Sequence, residues 1–194
     1  GGGQNCPAIH LDGNSSYIDL GVTFGEIRND DLTIEFWVKT LDQPVPGQTL
    51  LTTQANYINL SFGAADWEFG RWPGGVALDP GLQAGQWHHV ALYDTPNAEN
   101  GSTTEAYLDG RLVAEQTLNQ SLPGVVDDVG LFLGVRMRNN LQEILGYLRG
   151  HFGPIRISRT RRYQGDFEPQ STWIADDDTV VLYNLSGDNP LENA

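Results

Sequence analysis

An all-β fold, two antiparallel sheets packed as a sandwich, follows from three features of this chain. Apolar residues recur at every second position in several runs. Twenty-three glycines and ten prolines cut those runs short, as a sandwich of short strands requires. No stretch holds the period of an amphipathic helix for more than about two turns. The 194 residues suit one domain of this class, and an apolar content of 39% is adequate for its core. Neither a linker nor an internal repeat divides the chain.

The elements can be read in order. Residues 1–5, Gly-Gly-Gly-Gln-Asn, form a flexible tail; the chain opens without Met, which suggests a piece of a longer precursor. Leu32, Ile34, Phe36 and Val38 alternate with Thr33, Glu35, Trp37 and Lys39, so one face packs on a core and the other meets solvent or ligand. Ile58, Leu60 and Phe62 alternate in the same way with Tyr57, Asn59 and Ser61. From Gln86 to Glu115 a strand, a polar loop at residues 95–104 and a second hairpin follow one another, with Asp109-Gly110 supplying a tight turn that needs φ > 0. The polar loop is expected to be the most mobile. Residues 142–148 fit a helical turn or a strand, and periodicity does not decide between them. Ile155 and Ile157 alternate with Arg156 and Ser158. Trp173 reads as a packing residue, and Asp176-Asp177-Asp178 as a solvated turn before the last strand.

Several of these segments carry a resemblance. The Trp87-His88-His89-Val90-Ala91 strand with the Tyr107-Leu108-Asp109-Gly110-Arg111-Leu112-Val113 hairpin resembles a laminin-G-like domain of the concanavalin A-like lectin and glucanase superfamily. Leu11-Asp12-Gly13 with Tyr17-Ile18-Asp19-Leu20 is similar to the opening strand pair. The run from Leu32 to Lys39 is similar to the family's Phe-Thr-Ile-Glu-Phe-Trp-Val strand. The run from Leu148 to Ser158 is similar to its Phe-Arg-Gly strand, and Thr179 to Leu185 to a later one. The resemblance implies a concanavalin A-like jelly roll over nearly the whole chain. It says less of function, since lectins, adhesion modules, hormone carriers and hydrolases share the fold.

A net charge of −14 disfavours nucleic acid and anionic membranes as partners, and no apolar run approaches a membrane span. Seven of the eleven basic residues lie between Arg136 and Arg162. They are either a solvated patch balancing acidic loops or a surface through which Arg136, Arg138, Arg159 and Arg161 dock a partner. Ten arginines against the single Lys39 suggest a GC-rich bacterial genome. Cys6 is alone, so no internal disulfide forms.

Enzyme motifs are missing. Glucanases of this fold place paired carboxylates at alternate positions of one strand, one to give a proton and one to attack or stabilise. The best strand here offers Glu35 alone, followed by Trp37 and Lys39. No Gly-x-Ser-x-Gly elbow occurs. His88 and His89 are adjacent and point to opposite sides of a strand, so they cannot share a metal ion, and His10 and His151 are remote in sequence. The chain is therefore expected to be non-catalytic.

Two binding chemistries remain. The resemblance implies a rim calcium ion, and its ligand positions fall at Asn56 and at Asn139 or Asn140. Asn56 stands where an acidic ligand is usual, and calcium prefers charged oxygens. An alternative rim set is Asp12 or Asp19 with Asn184 or Asp188. Carbohydrate recognition needs flat aromatic faces with acids, amides or Arg beside them. Asp66, Trp67, Glu68, Arg71 and Trp72 supply these within a glycine-flanked loop. Trp37 and Trp87 read as framework. Five Asn-x-Ser sequences, at Asn14, Asn59, Asn100, Asn119 and Asn184, matter only if the source is eukaryotic and secreted. The expected function is a lectin-like, non-catalytic module of a secreted or cell-surface protein that binds a glycan or polysaccharide, with calcium as a candidate aid. The competing readings are a protein–protein adhesion module and a structural spacer.

Overall fold

A computed structural model describes residues 8–27, 31–53, 58–63, 66–70, 76–78, 81–96, 101–118, 130–138 and 143–184. In chain order its strands are β1 (Ile9–Asp12), β2 (Ile18–Thr23), β3 (Leu32–Thr40), β4 (Thr49–Thr53), β5 (Asn59–Phe62), β6 (Trp67–Gly70), β7 (Val76–Ala77), β8 (His88–Pro96), β9 (Ser102–Leu108), β10 (Arg111–Leu118), β11 (Gly130–Leu133), β12 (Arg136–Arg138), β13 (Glu143–Leu145), β14 (Arg149–Ser158) and β15 (Thr179–Tyr183). One helical turn, α1 (Phe24–Ile27), follows β2. The fold is an antiparallel sandwich. A seven-stranded sheet runs β1-β14-β3-β8-β9-β10, with β15 also on β14, and a six-stranded sheet runs β2-β11-β4-β5-β6-β7. A small β12–β13 hairpin stands apart.

The alternating residues do what their period requires. Ile34, Phe36 and Val38 of β3, Val90 and Leu92 of β8, and Phe152, Ile155 and Ile157 of β14 join Leu51, Leu60, Phe69, Leu131 and Leu133 of the second sheet in one core. Each such side chain contributes about 1.5–3 kcal/mol when fully buried.

The other face of β3 departs from the sequence expectation. Thr33, Glu35 and Trp37 are buried as well, because residues 159–178, which join β14 to β15, cross the outer face of the seven-stranded sheet. This strap is tied down along its length. Thr33 Oγ1 donates to the Thr160 carbonyl at 2.7 Å and accepts from the Arg162 amide at 3.2 Å. Trp37 Nε1 donates to the Gln170 carbonyl at 2.9 Å. Arg162 forms a two-pronged pair with Asp176 at 2.6 and 2.7 Å, which holds that carboxyl well below its usual range. The strap's Phe167 reaches the β9–β10 turn, where its amide donates to the Gly110 carbonyl at 2.8 Å. Both turn residues have positive φ, 51° at Asp109 and 80° at Gly110, as a two-residue hairpin turn demands. A Cβ on Gly110 would lie 1.8 Å from the Phe167 carbonyl oxygen, so glycine is needed there for space as well as for φ.

Two further expectations change. The undecided segment near residue 142 contains a strand, β13. The polar loop at residues 95–104 is shorter than its composition suggests, because β8 runs on to Pro96 and β9 begins at Ser102. Threonine and serine tolerate strand geometry, and their pairing extends the ladder from Thr95↔Thr103 to Pro96↔Ser102.

Candidate functional site

One end of the sandwich carries an open cleft of 350 Å³, lined by Gly13 and Asn14, residues 45–48 and residues 145–147. These are the connections where β1 and β3 end and β2, β4 and β14 begin. Each lining loop is fixed by its own sequence. Asp12 Oδ1 accepts the amides of Asn14, Ser15 and Ser16 at 2.9–3.0 Å, and the Ser15 and Ser16 hydroxyls bond the same carboxylate. Those bonds, the Ser15 amide's first, hold the Asp12 carboxyl far below its usual range. Gln48 braces the second loop against the third: its Oε1 accepts the Val45 amide at 3.1 Å, and its Nε2 donates to the Tyr147 carbonyl at 3.3 Å. At Gly146, with φ of 65°, a Cβ would lie 2.1 Å from the Gly47 carbonyl oxygen. Only glycine lets these loops approach so closely.

The cleft wall is mixed. Val45 is 56% exposed, Pro46 is beside it, and Tyr147 packs on the small cluster of Phe132, Val135 and Met137. The Asn14 amide side chain makes no bond among the described residues. Apolar surface, an aromatic ring and free amide and backbone groups suit a ligand with a C–H face and hydroxyls.

The loop expected to bind sugar is divided. Asp66 and Glu68 are exposed. Trp67 is not: at 1% exposure it lies in the core, edge-on to Phe62 at 5.5 Å. Its inward alternation with Phe69 leaves it no face for a ligand, which corrects that expectation. Asp66 precedes β6 at the cleft end, where Gly47 and Gln48 bond Phe62. Gly70, at the far end of β6, pairs with Asn59. Arg71 and Trp72 lie outside the described residues.

Calcium candidates fare similarly. Asn56, Asn139 and Asn140 fall outside the described residues, as does Asp188. In the alternative set the Asp12 carboxylate is taken up by its turn. Asp19 Oδ1 accepts the Gly21 amide. Asn184 is spent on both backbone groups of Trp173. Asp12 pairs with Arg149 and Tyr183 with Ile155, positions roughly 20 Å apart along β14, so Asp12 and Asn184 cannot share an ion. Among the described residues no three His, Cys, Asp or Glu side chains group for a metal.

Beneath the strap lies a polar network that sequence reading missed. Glu35 is fully buried. Its Oε1 accepts from Arg156 Nε at 2.6 Å; its Oε2 accepts from the Tyr163 hydroxyl at 2.6 Å and from His89 Nε2 at 3.2 Å. Burial alone would raise the Glu35 pKa, but bonds from His89, Arg156 and Tyr163 outweigh it and hold the group below its usual value. Burial and the Glu35 charge push the Tyr163 phenol up. Phe167 stacks on Tyr163 at 3.5 Å, and Trp173 packs against His89. Every oxygen of this carboxylate is engaged, and the strap covers it, so its chemistry here is structural. His88 is occupied too. Its Nε2 accepts the Gln83 amide at 3.1 Å, so Nδ1 carries the proton given to Asp109 at 2.7 Å.

The basic cluster is largely consumed. Arg149 pairs with Asp42, Arg156 with Glu35, Arg161 with Glu105 and Arg162 with Asp176. The remote histidines, by contrast, come together: His10 and His151 are direct cross-strand partners.

The comparisons agree with this geometry. The Laminin_G_3 family model, described as concanavalin A-like lectin/glucanases superfamily, matches residues 12–151. No curated protein matches. Among solved structures, the chain is similar to a candidate carbohydrate-binding protein from Bacteroides ovatus, with a TM-score of 0.64 and 16% identity over 93% of this chain and 51% of that one. It thus spans about half that protein's length. Domain 4 of AbnA, an extracellular GH43 arabinanase from Geobacillus stearothermophilus, was solved with arabinotriose; it matches at 0.57 and 19% over 82% and 77% of the two chains. The CBM40 of a Ruminococcus gnavus IT-sialidase, bound to α2,3-sialyllactose, matches at 0.51 and 16% over 76% and 86%. At these identities the likeness shows the fold.

Proposed function

The chain belongs to the laminin-G-like family of the concanavalin A-like lectin/glucanases superfamily, and from that premise we propose that it is a non-catalytic carbohydrate-binding module that takes its glycan in the rim cleft. The observation that carries this reading is the contrast between the open cleft and the strapped sheet face. The broad face that could lay a sugar chain along the strands is filled by residues 159–178, whereas the cleft offers Tyr147, Val45 and Pro46 as an apolar wall and Asn14 as a hydrogen-bonding rim. Three solved structures of this fold carry carbohydrate in their names or complexes, which supports a glycan over other small ligands. Asp66, Glu68, Arg71 and Trp72 are a second contact in the same reading. The module works outside the cell, on a secreted or surface protein. Calcium assists it through Asn56 with Asn139 or Asn140.

A glycan array with the purified chain, run with calcium and with EDTA, tests the reading. Retention of a defined glycan family, stronger with calcium, is the expected result. Tyr147→Ala and Asn14→Ala should each weaken the best ligand about tenfold, a loss near 1.4 kcal/mol, while Trp72→Ala tests the second contact. Silence of the array under both conditions would overturn the reading and leave protein adhesion or a spacer role. Equal retention with EDTA would remove calcium alone.

A further inference from the structure

A pair of histidines on the edge of the seven-stranded sheet carries an inference independent of the glycan. His10 on β1 and His151 on β14 are Cα partners in an antiparallel ladder, so both side chains leave the same face of the sheet. Their ring centroids are 4.8 Å apart and the planes are tilted by 44°. His10 is exposed and His151 half-buried, and β1 ends that path of the sheet. Neither ring has a hydrogen-bond partner among the described residues.

The spacing can be compared with that of two imidazoles sharing one ion. A metal–nitrogen bond of about 2.0–2.1 Å puts the ion about 3.2 Å from each ring centroid, which separates the centroids by about 4.5 Å at a right angle and about 5.2 Å at the tetrahedral angle. The observed distance falls between these limits, so a turn about χ2 aims one nitrogen of each ring at a common point without moving the backbone. The structure assigns His10 and His151, we propose, to a surface site for a transition-metal dication of the zinc, nickel or copper(II) class, with its remaining positions open to water or an external ligand. Imidazole suits these ions, whereas calcium wants oxygens. The nearby charges are already placed. Asp12 is held in its turn, Arg149 is paired with Asp42, and Lys39 is the Cα partner of His151 on its other side. The Lys39 ammonium repels a dication, so it limits the affinity of the site.

The test is calorimetric titration of the metal-free chain with zinc, nickel or copper(II) chloride, with calcium chloride as the contrast. Copper(II) at substoichiometric amounts, read on labelled histidine rings by NMR, locates the ion. We expect one ion per chain and line broadening confined to His10 and His151. His10→Gln and His151→Gln should each weaken binding by more than about tenfold, as loss of a ligand does. Lys39→Gln should tighten it by about twofold or more. Equal thermal midpoints of the variants in EDTA confirm that they fold. Unchanged affinity in both histidine variants, transfer of the loss to Cys6→Ser, or no binding of any of the three metals would overturn the assignment.

Discussion

Glu35 shows how a single side chain can mislead in sequence and explain itself in structure. Its alternation with Trp37 and Lys39 marks it as facing solvent or ligand, and nothing local says that a segment more than a hundred residues later will cover it. Once covered, the carboxylate and the Arg156 guanidinium, only 8% exposed, depend on one another. Glu35→Gln should destabilise the chain by about 3–5 kcal/mol, read as a fall in the urea midpoint, because it strands a buried cation. Acid should act in the same direction. Glu35 and Asp109 both have pKa values below the ordinary ones, despite burial that would raise them, because His89 heads the bonds that hold the first and His88 those that hold the second. A depressed carboxyl contributes stability that is complete above its unfolded pKa and lost as pH falls through the folded value. The midpoint should therefore drop once the pH passes below about 4, and Asp109→Asn should flatten that drop. Trp67 is the converse lesson: charge and glycine around a tryptophan suggest a binding face, yet its in-register alternation with Phe69 was enough to place it in the core.

At the scale of elements, the strands with clean alternation, β3, β5 and β14, and the Asp109-Gly110 hairpin were legible because each is specified by its own residues. The strap was not, because it has no period; its order comes from long-range bonds to Thr33, Trp37, Glu35 and Glu105. It should behave as part of the fold rather than as a loop. Trp173→Ala, which empties a site only 3% exposed, should cost about 3–5 kcal/mol, and hydrogen exchange should then quicken along β3 and β8. The cleft was invisible for a related reason. Its walls come from three connections whose approach depends on Gly146 meeting Gly47. Gly146→Ala should force those loops apart and weaken glycan binding more than it lowers the thermal midpoint, which ligand titration and thermal unfolding on the same variant would separate.

Across the whole molecule, composition and motif order were sufficient for the sandwich and its family, while the pairing of distant edges was not readable. His10 meets His151, and Asp12 lies far from Asn184, only because β1 and β15 lie along the same side of β14. Charge behaves likewise. The arginine-rich stretch that suggested a docking surface is mostly internal wiring, with four of its members in ion pairs.

The strap has one more consequence, for how this domain would grip a polymer. A bare sheet acts as a runway, and each added sugar unit gains contact with it. A pocket at the tip acts as a socket, in which units beyond the first few hang free in water. Binding measured against oligosaccharides of increasing length should therefore level off early, so that the domain counts chain ends or branch tips rather than chain length, and its flanks stay free to lie against whatever neighbours it.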